Sequence, residues 1–308
     1  MKIGIDMMGG DFAPAEAFKG AQQFFEEEGE AQLVFIGDEA QITPLLSEYS
    51  FAAGSYSIVH APEVIGMQEH PTKALKEKRQ SSISVGFQLL ATEKIDAFIS
   101  AGNTGAMLVG SLYALKPLEG ILRPTISTII PKENGATGLL LDVGLNSDCK
   151  PEQLNQFAEM GSVYATHILG IENPRVGLLN IGEEEGKGNL LAQAAYPILK
   201  DNAAINFIGN IEGRDILLDK ADVMVCDGFT GNILLKFAES FHSITAQKSI
   251  NHPYFDRFNF EEYGGTPVLG ISKPVIIGHG ISKGRAFQNM ILLAQKMIYT
   301  GVMQKMKI

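Results

Sequence analysis

Ala97-Phe-Ile-Ser100-Ala-Gly102-Asn103-Thr104-Gly105-Ala106 runs from an apolar, strand-like segment through a glycine-bearing turn into a helical stretch. A second segment, Val223-Met-Val-Cys226-Asp-Gly228-Phe-Thr230-Gly231-Asn232, repeats the Gly-x-Thr-Gly pattern in the same setting. Strand ends that turn into helices in this way present unpaired backbone N–H groups and small side chains at a helix N-terminus, which suits a phosphate-sized anion. Taken singly, each loop reads more readily as an ordinary Gly/Asn turn. A third loop of the same kind, Asn180-Ile-Gly182-Glu-Glu-Glu-Gly186-Lys187-Gly188-Asn189, follows Val176-Gly-Leu-Leu179 and adds a lysine. Three such loops after three strands favour an anion site over three unrelated turns.

Working outward, strand-like runs fall at 3–6, 33–36, 58–60, 97–100, 126–130, 139–143, 176–181, 205–208, 223–226 and 275–277, with helical patterns between them at 15–28, 81–93, 151–169 and 285–306. Continuous apolar strands alternating with helices predict an α/β fold: a three-layer α/β/α sandwich around a mostly parallel sheet. Ligands of such sheets sit at the carboxyl ends of the strands, where the Gly/Asn/Thr loops fall. The 308 residues suffice for one large domain or two intimate lobes, and we expect a single domain over 1–308. Residues 233–262 break the rhythm. Ile233, Leu234, Phe237, Phe241 and Ile244 keep helical spacing until Asn251-His-Pro253, and an aromatic cluster follows at Tyr254, Phe255, Phe258, Phe260 and Tyr263. That excursion suits a core, an interface or a lipid contact.

A net charge of −10 argues against nucleic acid as the main partner. After Tyr263, however, Lys273, Lys283, Arg285, Lys296, Lys305 and Lys307 stand without a single acid. A shorter basic run, Lys73, Lys76, Lys78 and Arg79 against Glu77, reads as a solvated helix face or as a patch for an acidic partner. Cys149 and Cys226 are the only cysteines and lack metal spacing, as expected in a reducing compartment. With no signal-peptide pattern and no apolar run of the ~20 residues that span a bilayer, the expectation is a soluble, cytoplasmic protein.

Several familiar chemistries fail on spacing. In the 182–188 loop, Gly182 and the Gly186-Lys187 pair are one residue too close for a Walker A motif, and Gly188 stands where Ser or Thr is required. No G-x-G-x-x-G opens a strand-to-helix turn, which disfavours an ordinary dinucleotide fold. Gly280-Ile-Ser282-Lys-Gly284 matches a hydrolase nucleophile elbow, but no acid follows Glu262 and no histidine follows His279, so Ser282 reads instead as an N-cap or anion contact. The six histidines, His60, His70, His167, His242, His252 and His279, form no metal-binding pair; His279, at a strand end, reads as a turn histidine bonded to backbone, the commoner case, or as a ligand contact. Asp142-Val-Gly144-Leu-Asn146 precedes a helix with Pro151 near its start, and its Asp and Asn read as turn and cap residues or as site residues. In Asp6-Met-Met-Gly9-Gly10-Asp11, paired glycines after a strand indicate that backbone comes close to something.

Together these residues resemble one family, the acyl-carrier-protein:phosphate acyltransferases of bacterial phospholipid synthesis called PlsX. The likeness rests on Asp6-x-Met8-Gly-Gly-Asp11, Ile99-Ser-Ala-Gly-Asn-Thr-Gly105, Leu141-Asp-Val-Gly144 with Asn146, and Met160-Gly-Ser-Val-Tyr164. It continues through Arg175-Val-Gly-Leu-Leu-Asn180, Lys187-Gly-Asn189, Asn206-Phe-Ile-Gly-Asn210, Asp227-Gly-Phe-Thr-Gly-Asn232, Tyr263-Gly-Gly265 and His279-Gly280. The resemblance implies a fold similar to phosphotransacetylases and isopropylmalate dehydrogenases, a homodimer, and transfer of a long-chain acyl group from acyl carrier protein to inorganic phosphate. It implies no metal and no organic cofactor. On this basis Lys187 is expected to supply positive charge, and Asn232 and Asn103 to donate side-chain hydrogen bonds, in catalysis. Gly9, Gly10, Asp11, Gly102, Thr104, Gly105, Asn189, Gly228, Thr230, Gly231 and His279 are expected to bind phosphate or the acyl group.

Family members carry a longer helical insertion before Tyr-Gly-Gly, associated with membrane attachment. Here only residues 233–262 intervene, and peripheral attachment, if kept, is expected on the aromatic segment 254–260. Rival readings are a phosphotransacetylase-type enzyme using acyl-coenzyme A, an isopropylmalate-type dehydrogenase, for which neither a nicotinamide site nor a metal-binding carboxylate cluster can be assigned, and a non-catalytic acyl-binding protein on the same scaffold.

Overall fold

A computed structural model describes residues 1–27 and 29–307. The strands are β1 (Lys2–Asp6), β2 (Gln32–Gly37), β3 (Tyr56–His60), β4 (Ala97–Ser100), β5 (Thr125–Pro131), β6 (Thr137–Leu141), β7 (Arg175–Asn180), β8 (Asn206–Glu212), β9 (Val223–Val225), β10 (Thr266–Leu269) and β11 (Val275–Ile277). They divide between two compact units, the first comprising Met1–Lys116 with Phe260–Gly301 and the second Pro117–Asn259 with Val302–Ile308.

In the first unit the strand order is β3-β2-β1-β4-β11-β10, parallel except for β10. Strand alternation dictates how its two faces are covered. Gly4 lies level with Val34 and Phe98, so these three share one face, while Ile5, Phe35 and Ile99 share the other. Phe98 packs edge-on to Phe87 of the helix Ser82–Ala91, with ring centroids 5.2 Å apart, and Phe35 packs edge-on to Phe18 of the helix Ala15–Glu26, also at 5.2 Å. Helices therefore cover both faces, and the layered α/β arrangement expected from the sequence is present.

The second unit carries the order β5-β6-β9-β7-β8, with only the β5–β6 pair antiparallel. The helix Pro151–Tyr164 starts with Pro151 at a position whose N–H would go unused, and continues as a π turn, Ala165–Leu169, closed by Gly170 at φ 74°. Its Gly161 lies against Val223 and Leu141, where a Cβ would come within 2.7 Å of Val223 Cγ1. Packing of helix on sheet is what excludes a larger residue there.

The expected strands are all present, within a residue or two at their ends except for β8, which is expected over 205–208 and runs on to Glu212. β10 was not foreseen, because Thr-Pro-Val-Leu carries a proline that weakens a strand reading; in the structure Pro267 pairs antiparallel with Ile276 at this position. The helix expected over 15–28 ends at Glu26, and Glu28 lies outside the described residues. Ser282 is not an N-cap: Lys283 occupies that position before the helix Gly284–Thr300, and the Ser282 hydroxyl is buried with no hydrogen-bond partner among the described residues. No helix among the described residues is long and apolar enough to cross a membrane.

Candidate functional site

In the first unit the site begins with a buried carboxylate. Asp6 closes β1 fully buried, accepting from Ser100 Oγ at 2.6 Å and from the Met8 amide at 3.0 Å, while Ser100 Oγ accepts from the Gly102 amide at 2.9 Å. Burial pushes the Asp6 carboxyl up, although the hydrogen bonds from Ser100, Ser82 and the Met8 and Gly9 amides pull it back. This bridge binds the two loops together: a Cβ on Gly9 would lie 2.7 Å from the Gly102 nitrogen. Gly10 adopts φ 100°, open to glycine and strained for other residues, which turns the Asp11 amide onto the Gly280 carbonyl at 2.7 Å. Gly9, Gly10, Asp11, Gly102 and Gly280 are thus brought together as a backbone cluster. Next to Gly280, His279 lies with its ring centroid 4.4 Å from that of Phe260.

Asn103 is placed differently from its expected role. Its Oδ1 caps the helix Thr104–Ala114 by accepting from the Ala106 amide at 2.9 Å, and its Nδ2 donates to the carbonyls of Gly66 (2.9 Å), Met67 (3.2 Å) and Glu69 (3.0 Å). With 4% exposure and both amide protons engaged, Asn103 has no donor to spare for a substrate in this state. It positions the loop, leaving Thr104 exposed and Gly105 against Pro71 at the helix N-terminus.

The second unit holds the lysine loop on an amide network. Asn180, at the end of β7, donates through Nδ2 to the Lys187 carbonyl and to Asn210 Oδ1, both at 3.1 Å; Asn210 Nδ2 donates to the Glu184 carbonyl at 2.9 Å. The loop backbone is therefore fixed while the Lys187 side chain, 51% exposed, has Glu184 as its ion-pair partner among the described residues, at 3.8 Å. Asn189 caps the helix Leu190–Asp201 by accepting from the Ala192 amide at 2.9 Å.

The Gly-Phe-Thr-Gly-Asn segment starts the helix Gly228–Gln247, capped by Asp227, whose carboxylate accepts from the Thr230 amide (2.9 Å) and hydroxyl (2.8 Å). Asp142 organises what lies beneath. Completely buried, it accepts from the amides of Gly144 (3.1 Å), Leu145 (3.1 Å) and Asn146 (2.7 Å) and from Asn146 Nδ2 (2.7 Å). Burial drives its carboxyl up against those donors. The loop so fixed receives the Gly228 amide on the Asn146 carbonyl at 2.7 Å and Asn232 Nδ2 on the Val143 carbonyl at 3.1 Å. A Cβ on Gly231 would overlap the Asp142 carbonyl oxygen. Among the described residues the second amide proton of Asn232 has no partner, so this exposed side chain retains one donor.

A cavity of about 870 Å³ lies in this unit, lined by Gly188, Asn189, Asp227 and Thr230 together with leucines of β7 and the surrounding helices. Gly188 and Asn189 bring the lysine loop to it, and Asp227 and Thr230 bring the second Gly-x-Thr-Gly loop. Lys187 and Asn232 stand beside these residues rather than in the cavity wall. The organising roles of Asp142, Asn180 and Asn210 escaped the sequence reading, although each falls inside a motif on which the family resemblance rests. One group of three acids, Glu183, Glu212 and Asp215, could face a cation, but Lys220 pairs with Glu183 and Asp215 and Arg214 pairs with Glu212.

A family model described as "Fatty acid synthesis protein" matches residues 1–305. The chain belongs to this family, the PlsX phosphate acyltransferases. Among its relatives, proteins named phosphate acyltransferase from Dictyoglomus turgidum and Halothermothrix orenii are 44% and 43% identical, over 99% and 100% of this chain and 96% and 98% of their own. The fold is similar to that of a phosphotransacetylase from Streptococcus pyogenes (TM-score 0.64, 19% identity, 97% of this chain and 94% of that one). It is also similar to a branched-chain phosphotransacylase from Enterococcus faecalis (TM-score 0.60, 17% identity, 96% and 98%). This PlsX family member is accordingly an acyltransferase enzyme on a phosphotransacetylase-like α/β scaffold.

The basic segments are less open than their sequence suggests. Lys78 pairs with Glu69 at 2.5 Å and Lys73 with Glu77 at 4.0 Å, whereas Lys76 and Arg79 have no ion pair among the described residues. Arg285 meets Glu27 and Glu262 at 3.6 and 3.8 Å. Nor is the aromatic segment a free surface. Phe258 is buried against Phe241 and Tyr254, and Tyr254 and Phe255 are half-buried. The exposed apolar side chains lie instead on the preceding helix, where Phe229, Ile233, Phe237 and Ile244 fall within about 80° of one another at 100° per residue.

Proposed function

We propose that this chain transfers a long-chain acyl group from the thioester of acyl carrier protein to inorganic phosphate, releasing acyl phosphate for phospholipid synthesis. A phosphate oxygen attacks the thioester carbonyl carbon, forming the new C–O bond and a tetrahedral oxyanion. Collapse of that oxyanion breaks the C–S bond and the carrier thiolate leaves with its electron pair. A thioester is already activated, so the protein has chiefly to hold the phosphate dianion in line and to stabilise the oxyanion.

The observation that carries the reading is the lysine loop. A rigid backbone network through Asn180 and Asn210 presents Lys187 half in solvent, next to residues that share one cavity with the Asp227-capped helix. Lys187 supplies positive charge to phosphate or oxyanion, and Asn232 donates its remaining amide proton. Asn189, Thr230 and the glycines Gly228 and Gly231 shape the phosphate cradle. In the first unit Gly9, Gly10, Asp11, Gly102, Thr104, Gly105 and His279 serve substrate binding, with Asn103 positioning that loop rather than donating to substrate. The exposed Lys76 and Arg79 suit the acidic carrier protein, and the family resemblance supports a cytoplasmic homodimer. If the shortened excursion still attaches to membrane, the exposed stripe on the helix Gly228–Gln247 is the surface that does so, not 254–260.

The test incubates the protein with palmitoyl carrier protein and inorganic phosphate and traps acyl phosphate as the hydroxamate with hydroxylamine. Phosphate-dependent trapping is expected. Phosphate-independent release, or none, rejects the assignment.

A further inference from the structure

The cavity in the second unit is far larger than a phosphate needs. Its volume of about 870 Å³ lies within the ~300–1,000 Å³ of pockets that enclose small ligands. Leu154, Leu178, Leu191 and Leu234 supply its apolar wall. Register sets the polar end: Leu178 lies level with Val225, so Asn180 and Asp227 stand two residues further along parallel strands, at their carboxyl ends beside the glycine-rich loops. Apolar side chains are exposed there too, Ile181 at 80% and Leu190 at 86%, at the turn that carries Lys187. The ionic groups of the rim are already matched, since Arg214 pairs with Glu212 and Asp227 accepts from the Thr230 amide and hydroxyl. With these charges matched at the polar rim, the leucine-walled part suits an apolar group as its occupant.

We propose that this cavity receives the acyl chain of the donor, and that Leu154, Leu191 and Leu234 set the chain length the enzyme accepts. The proposal rests on the acyl-transfer reading above and extends it to a specificity site. The thioester carbonyl then lies at the polar end, within reach of the lysine loop, while the chain fills the leucine-walled part.

Two measurements test this. The first compares kcat/KM for hexanoyl and palmitoyl carrier protein in the wild type, Leu154→Phe and Leu234→Phe. Each methylene held in the cavity is expected to raise wild-type kcat/KM about fourfold until the wall is reached. Both substitutions should lower the palmitoyl-to-hexanoyl ratio at least tenfold while leaving the KM for phosphate unchanged. Hexanoyl turnover serves as the folding control, and Leu191→Phe, at a half-buried position, carries the same expectation should Leu154→Phe not fold. The second measurement titrates the proteins with the fluorescent fatty acid cis-parinaric acid, which needs no turnover; the phenylalanine variants should bind at least tenfold more weakly. An unchanged chain-length ratio together with unchanged parinarate binding overturns the proposal. A wild type that makes no acyl phosphate refutes the reaction, and the parinarate titration then still decides whether the cavity takes an acyl chain.

Discussion

Lys187→Ala separates the chemistry of the site from its architecture. Among the described residues the Lys187 side chain makes one ion pair, exposed, with Glu184 at 3.8 Å, and such pairs contribute about 0–1 kcal/mol to stability. The loop is held instead through the Lys187 carbonyl and the Asn180–Asn210 amides, which alanine leaves in place. Folding should therefore be unaffected. Two unit charges ~4 Å apart interact by about 4 kcal/mol at an effective dielectric constant of ~20. Half of the side chain is in solvent and Glu184 opposes it, so a phosphate contact of roughly 2 kcal/mol is a fair expectation, equivalent to about a 30-fold loss in kcat/KM for phosphate. Glu184→Gln should act in the opposite sense, raising kcat/KM for phosphate a few-fold. The assay is hydroxamate trapping over a phosphate titration, beside thermal melts of each variant. A Lys187→Ala protein that melts with the wild type and keeps kcat/KM within threefold of it refutes the electrostatic role.

Asn103→Ala should act on stability first: it removes a helix cap and leaves the carbonyls of Gly66, Met67 and Glu69 without their donor, a loss of about 2–4 kcal/mol, read as a lowered denaturant midpoint. Gly231→Ala forces a Cβ onto the Asp142 carbonyl oxygen, so the start of the Gly228–Gln247 helix must shift; a destabilisation of about 2 kcal/mol or more, with loss of acyl transfer, is expected from melts and trapping. Acid should expose a third dependence. Burial raises the Asp222 carboxyl, but hydrogen bonds from Arg175 and Lys132 outweigh it and hold the group well below the usual carboxylate range. The stability this adds is present above the unfolded pKa of about 3.9 and is lost as pH falls through the lower folded value. Wild type should thus lose stability below about pH 4 more steeply than Asp222→Asn; parallel denaturation curves would argue against the linkage.

Much of the fold was legible because its signals are local. Apolar runs such as Ala97–Ser100 and Val223–Val225, each followed by a glycine turn and a capped helix, announce a parallel α/β sheet without reference to any partner. β10 was missed for the same reason: Pro267 speaks against a strand locally, and only pairing with Ile276 makes it one. At the site, the residue types of the three loops point to an anion, and the Lys187 side chain is half-exposed. Asn103 misled because its neighbours in sequence do not reveal that Gly66, Met67 and Glu69 claim its amide.

From its residues alone, the chain determines its alternation of strands and helices, the glycine positions where backbone must come close, and the motifs that place it among the phosphate acyltransferases. Tertiary structure decided which polar side chains remain available to a substrate and where an apolar cavity opens beside them. The difference is physical. Helix caps, turns and strand runs are made by residues within a few positions of one another, whereas hydrogen-bond saturation and cavity volume depend on groups that only folding brings together, as Asp142 does for Gly228 and Asn232.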